Sequence, residues 1–214
     1  TLIVFTSDNG GSPAAGLDVM QEAGHFSSYI YRGHKADIFE GGHRVPFIAK
    51  WPAKIQKGTS RSETICLTDL MATGAELSGY ELKDNEGEDS YSLVSLFDAN
   101  NKVAQFREAT VSHSINGSFA IRQGDWKLIM AKGSGGWSFP KPGDPSEAEL
   151  PDVQLYNLAS DPGETNNIYA ENGDKVASLK ALLSKYIKEG RSTPGAPQSN
   201  DQIDGEWKQI GFVE

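Results

Sequence analysis

The chain has 214 residues, of which 37% are hydrophobic and 23% charged, a globular mix with room for one large domain or two small ones. Its net charge of −9 excludes the basic footprint that nucleic-acid phosphates require, and the single Cys66 excludes an internal disulfide. No stretch approaches the ~20 apolar residues that span a bilayer, so no membrane segment is expected.

The chain opens at Thr1 and runs straight into Leu2-Ile3-Val4-Phe5, which reads as a start in mid-domain. That continuous apolar run stops at Ser7-Asp8-Asn9-Gly10-Gly11, the pattern of a buried strand of an α/β sheet ending in a polar turn. Val45-Pro46-Phe47-Ile48-Ala49-Lys50-Trp51, closed by Pro52, predicts a second strand. Apolar spacing at Leu67, Leu70, Met71 and Leu77, with Gly79 beyond, predicts a helix over 63–78. The acidic run 83–90 reads as a surface loop. Cys66 sits between apolar neighbours and reads as a small buried hydrophobe.

The character changes near residue 104. Phe119–Arg122 and Trp126–Met130 alternate around Gln123-Gly124-Asp125, which predicts a hairpin with a three-residue loop. Val153–Leu158 predicts a further strand before the Asp161-Pro162-Gly163 turn. Val176, Leu179, Leu182, Leu183, Tyr186 and Ile187 recur at helical spacing, and Gly190 closes that helix. One amphipathic helix over an antiparallel sheet makes a small α+β module. The segments 132–151 and 191–204 read as irregular. The expected division is 1–104, part of a larger α/β sheet, and 105–214, a small α+β subdomain.

Asp8 and Asn9 directly follow a strand, where open α/β sheets bind ligands. Their carboxylate and amide oxygens suit Ca²⁺ or Mg²⁺, although Ser-Asp-Asn-Gly is also a good turn sequence. Arg32, His34, Lys35, His43 and Arg44 fall within thirteen residues of an acidic chain, which suggests a pocket for a small anion or a solvated basic strip. Lys35 is a point charge able to reach a tetrahedral anion. Glu40 and Arg44 are expected to pair structurally. His113 reads as a packed or solvent-exposed side chain rather than one directed at a substrate, and Trp137 as packed over the adjacent sheet, with sugar stacking its other use. Asn116-Gly117-Ser118 is a glycosylation sequon of a kind common by chance.

Taken together, Ser7-Asp8-Asn9-Gly10-Gly11, Arg32-Gly33-His34-Lys35 and Glu40-Gly41-Gly42-His43-Arg44-Val45-Pro46 before Trp51-Pro52 resemble the formylglycine-dependent sulfatases of the alkaline phosphatase superfamily. Asp69–Thr73, Ile121–Ile129 and Leu155–Asn167 continue the resemblance toward that family's C-terminal portion, so that landmarks cover about residues 2–187. The resemblance implies an alkaline-phosphatase-like α/β sandwich with a smaller α+β subdomain. It implies that Asp8 and Asn9 bind a divalent cation, usually Ca²⁺, and that Lys35 contacts the substrate sulfate. It implies a sulfated carbohydrate or aryl sulfate as partner, and a secreted, periplasmic or lysosomal setting. The family's nucleophile, a formylglycine made within Cys/Ser-x-Pro-x-Arg, is absent: Cys66 has no Pro two residues later. No catalytic nucleophile is therefore assigned within the chain. The nucleophile and the remaining metal ligands are expected upstream or on a second chain, and the 214 residues alone are expected to be inactive. The rival readings are a phosphoesterase of the same superfamily and a non-catalytic binding module.

Overall fold

The computed structural model describes residues 1–200 and 207–213. Two antiparallel sheets and one long helix organise the chain. The first sheet is a two-stranded ribbon of β1 (Ile3–Thr6) and β2 (Phe47–Lys50), in register Ile3↔Lys50 through Thr6↔Phe47. Between these strands lie α1 (Leu17–Glu22) and the single turn α2 (Glu40–His43), neither of which the apolar pattern announced. α3 (Asp69–Ser78) ends on Gly79 in the left-handed conformation. The second sheet runs β3 (Thr110–His113), β4 (Phe119–Gln123), β5 (Trp126–Ile129) and β6 (Gln154–Asn157), each antiparallel to its neighbour. α4 (Gly173–Glu189) follows and stops at Gly190, with φ +62°.

These residues leave one face of β1 uncovered: Ile3 is 57% exposed, Phe5 63% and their cross-strand neighbour Ile48 60%, as a strand whose flanking layer lies outside the 214 residues would be. Three elements depart from expectation. The helix expected over 63–78 begins only at Asp69, whose carboxylate turns back to accept the Cys66 N–H at 2.7 Å and closes the chain there. The hairpin loop has two residues, not three, since Gln123 pairs with Trp126 and Gly124 takes φ +58°. Strand β3 was not anticipated; its only large apolar residue is Val111.

The four-stranded sheet is apolar on both faces, and each face has its own cover. Phe119, Ile121, Leu128 and Leu155 pack with Leu179, Leu183 and Tyr186 of α4. A fully buried Leu of this kind contributes ~1.5–3 kcal/mol. The alternate residues Ala120, Ile129 and Tyr156 pack with Ile38 and Phe39, which lie just before α2. The period-2 alternation of strands puts these two sets on opposite faces. The second face therefore receives the segment richest in charged motif residues.

Two irregular segments are more anchored than their composition suggested. Arg191, 7% exposed, donates to the carbonyls of Asp84, Thr193, Pro194 and Ala196, and so ties the segment after α4 to the 83–90 loop. Gly133–Gly136 are buried within the 132–151 segment. Of the stretch expected over 191–204, residues 201–204 lie outside the described residues.

Candidate functional site

β1 delivers Asp8 and Asn9 into the turn that follows it. Ser7 Oγ donates to the Asn9 carbonyl at 2.9 Å, and Asn9 Nδ2 donates to the Gly10 carbonyl at 2.9 Å, which leaves Oδ1 as the acceptor end of the amide. Asp8 is exposed. Gly10 donates its N–H to the Gly42 carbonyl at 3.0 Å, and a Cβ at position 10 would run into the Gly41 carbonyl. The glycine is thus required for backbone-to-backbone approach to α2.

Lys35 lies on the same scaffold. Its N–H donates to the Gly11 carbonyl at 2.9 Å, which sets it beside the Asp8–Gly11 turn. The basic cluster read from the sequence is mostly committed elsewhere. Arg32 stacks on Phe39, 3.9 Å from the ring centre, and donates to the Glu164 carbonyl. Arg44 pairs with Glu40, Nε to Oε2 at 2.9 Å, and lies over Tyr31 at 4.6 Å. His34 donates its backbone N–H to Asp37. Among the described residues, Lys35 is the one Lys or Arg of the cluster with no ion-pair, side-chain hydrogen-bond or ring partner.

A cavity of ≈ 800 Å³ is lined by Asp8, Asn9, His43, Arg44, His113, Arg122 and Lys127, among others. Lys35 is not in that lining, so the cavity unites Asp8 and Asn9 but not the lysine. His43 contributes an imidazole whose Nε2 is buried without a partner. Burial, reinforced by the Lys127 charge, holds its pKa down at about 4. His113 is exposed, with its ring edge-on against Phe119 and near Trp207. Trp137 is 39% exposed. Its N–H and that of Ser138 are held by Asp37 Oδ1 at 2.7 and 3.0 Å. The Asn116 side chain accepts from Ser114 and Ser118. Cys66 is half-buried with Arg107 at 3.1 Å from its sulfur, and burial pushes its thiol pKa up.

Sequence reasoning missed the buried ionic cluster behind the motif. Lys127, 2% exposed, places Nζ 3.1 Å from Glu40 Oε1 and 2.9 Å from Glu164 Oε1. Glu164, fully buried, accepts the Glu40 N–H through Oε2 at 2.6 Å. The two carboxylates respond in opposite directions. Burial raises the pKa of Glu164 and outweighs the pull of Lys127. Burial is also the largest single influence on Glu40, but Lys127, Arg44 and Arg122 together overcome it and hold the carboxyl at about 2. The partners are 37 to 124 residues apart, so no local spacing reveals them. The one sequence signal was a lysine at a strand position that alternation would have sent to solvent.

Among the described residues, no group of three or more His, Cys, Asp or Glu side chains is placed to hold a metal ion. The donor chemistry at Asp8 and Asn9 fits part of a site for a hard cation, since Ca²⁺ takes six to eight oxygens. No helix is long and apolar enough to cross a membrane among the described residues.

Comparison with known proteins bears directly on this arrangement. Residues 34–193 match the family described as N-sulphoglucosamine sulphohydrolase, C-terminal. The chain belongs to the sulfatases. It is 31% identical over 188 residues to an N-acetylgalactosamine-6-O-sulfatase of Bacteroides thetaiotaomicron, covering 86% of the chain and 35% of that sulfatase. It is 31% identical over 179 residues to arylsulfatase A of Homo sapiens, covering 78% and 33%. A solved structure from the glycosaminoglycan-metabolising locus of Bacteroides thetaiotaomicron superposes with a TM-score of 0.71 at 29% identity, covering 86% of this chain and 38% of that one. Another, bound to its substrate D-glucosamine-2-N,6-O-disulfate, gives 0.61 at 25% identity over 88% and 34%. This sulfatase chain thus spans about a third of the length of these relatives and corresponds to their C-terminal region.

Proposed function

We propose that the chain supplies one side of the active site of a sulfatase that removes sulfate from a carbohydrate or aryl ester. The observation that carries this reading is Lys35: its main chain is fixed to Gly11 at 2.9 Å, and its ammonium has no partner among the described residues. A cationic side chain set beside a polar turn and left uncommitted is placed to take a tetrahedral anion. Its charge would act on the sulfate oxygens as a preorganised electrostatic group.

Asp8 and Asn9 would hold a divalent cation, Ca²⁺ or Mg²⁺, from one side. Once bound, such an ion polarises the oxygens of an ester and stabilises charge on them. Gly10 keeps the ligand turn against α2. Arg44 and Arg122 neutralise Glu40 at the wall of the cavity. No Cys/Ser-x-Pro-x-Arg segment occurs in the 214 residues, so the formylglycine nucleophile would come from outside them, together with the remaining cation ligands. The same outside portion would cover the apolar face of Ile3, Phe5 and Ile48, completing an α/β sandwich from 1–104 beside the subdomain 105–214. The carbohydrate as substrate class rests on the relatives, which include a carbohydrate sulfatase and a protein solved with a sulfated glucosamine.

Turnover of 4-nitrophenyl sulfate and 4-nitrophenyl phosphate by the whole protein, assayed side by side with Ca²⁺, tests this. The expected result is a kcat/KM for the sulfate ester that exceeds that for the phosphate. The reverse preference would make the protein a phosphoesterase, and no turnover of either would make it a binding module.

A further inference from the structure

We infer that Glu164 and Lys127 are positioning residues: a buried carboxylate–ammonium pair, from the turn after β6 and from β5, that sets α2, and through it the placement of Lys35 and the Asp8–Gly11 turn. This rests on the reading of Lys35 as the sulfate ligand and goes beyond it, because both side chains are buried and committed to Glu40 and to each other.

The contacts form a continuous path. Glu164 accepts the Glu40 N–H at 2.6 Å and Lys127 donates to the Glu40 carboxylate at 3.1 Å, so the main chain and side chain of Glu40 are fixed from the turn after β6 and from β5. Glu40 opens α2. Gly41 N–H binds the Arg32 carbonyl at 2.7 Å, which draws the 32–35 segment onto α2. The Gly42 carbonyl accepts the Gly10 N–H at 3.0 Å, and the Gly11 carbonyl accepts the Lys35 N–H at 2.9 Å. A Cβ on Gly10 or Gly41 would strike backbone carbonyls, so this path has no slack to absorb a shift of Glu40.

Glu164 itself is held in an unusual state. Its φ is +51°, left-handed for a residue with a side chain. Such a conformation persists where the surroundings over-determine it. Here Asp161 clasps the N–H groups of Thr165 and Asn166, both at 2.9 Å, and the Glu164 carbonyl accepts from Arg32 at 3.0 Å. The turn is fixed on both sides, with the carboxylate aimed at Glu40. A buried charge pair is weak evidence for stability, and replacing one with apolar residues is often neutral. An account based on stability alone therefore does not explain a fully buried glutamate in a strained conformation at this place, whereas positioning does.

The test is a double-mutant cycle in the whole protein, with 4-nitrophenyl sulfate as substrate and Ca²⁺ saturating. Glu164→Gln keeps the side chain's length and an acceptor for the Glu40 N–H but removes the charge. Glu164→Asp keeps the charge but falls one methylene short. Both are measured in wild-type and Lys35→Ala backgrounds, with kcat normalised to the folded fraction read by near-ultraviolet circular dichroism. A displacement on the ångström scale costs up to ~100-fold. The expected result is a fall in kcat of roughly 10- to 100-fold for each Glu164 variant, KM within about 2-fold, and loss of most of that effect when Lys35 is already Ala. Equal effects in both backgrounds, or an unchanged normalised kcat, would overturn the inference and leave Glu164 a purely structural residue. Failure of both variants to fold would do the same. If Lys35→Ala by itself leaves turnover intact, the functional reading falls first and takes the inference with it, an outcome visible in that single variant.

Discussion

Removing the Asp69 carboxylate should destabilise the protein more than any single surface change, and the structure supports a magnitude. Asp69 is fully buried at the first position of α3, and it serves three donors: the N–H groups of Cys66 at 2.7 Å and Tyr91 at 3.0 Å, and Arg107 Nη2 at 2.5 Å. Arg107 is itself almost buried, with its side chain 6% exposed. It lies 4.5 Å from the Tyr91 ring centre, and its Nε has no partner. Asp69→Ala leaves that guanidinium without its counter-ion, a change that costs ~3–5 kcal/mol. Each orphaned N–H adds up to ~1–3 kcal/mol unless water replaces the carboxylate. The expected loss is at least about 4 kcal/mol, a fall in Tm of roughly 8–16 °C for a unit of this size. Arg107→Met removes the stranded charge. In the double variant the two losses should therefore not add, and a coupling of about 2 kcal/mol or more should appear in urea midpoints. A single-variant loss below about 1 kcal/mol, or strict additivity, would refute the view that this pair is an interdependent buried unit.

Three further outcomes are expected. Asp8→Ala in the whole protein should abolish tight Ca²⁺ binding, since it removes a charged oxygen ligand; unchanged affinity by calorimetry would exclude Asp8 from the site. Gly10→Ala should weaken Ca²⁺ without deleting any ligand, because its Cβ meets the Gly41 carbonyl and the turn must move; an affinity equal to wild type would show that the turn is not held by α2. The third concerns acid. His43 has a folded pKa of about 4 against 6.5. Between those values the unfolded chain binds a proton that the folded protein does not, so stability falls as the pH drops through that window. The loss from this group is about 2 kcal/mol between pH 7 and pH 5. His43→Gln should remove that component, and urea midpoints with the same pH dependence in both proteins would contradict it.

The sequence made some of this molecule legible and hid the rest for identifiable reasons. α4 was readable because Leu179, Leu183 and Tyr186 recur on one stripe and Gly190 ends it. β4 and β5 were readable from alternation around a glycine. Asp8, Asn9 and Lys35 stood out because they sit in short, dense motifs, and the Glu40–Arg44 pair was expected from two opposite charges close in the chain. What escaped was everything set by contacts distant in the chain. Lys127 lies on a strand face that pattern alone assigns to solvent, and only the arrival of Ile38, Phe39 and Glu40 on that face makes it interior. Glu164 follows a turn signal, and nothing local shows that its carboxylate meets Glu40. The apolar run of β1 reports a strand that wants cover, and the exposure of Ile3 and Phe5 shows that these residues do not provide it.

The central claim, that Lys35 is a sulfate ligand of a sulfatase site to which this chain contributes, is tested most directly by one comparison. Lys35→Ala in the whole protein, with Ca²⁺ affinity and Tm measured in the same preparation, should lower kcat/KM for an aryl sulfate by at least ~100-fold, the scale of losing one oxyanion donor, while both controls stay at wild-type values. Near-wild-type turnover by that variant would contradict the account.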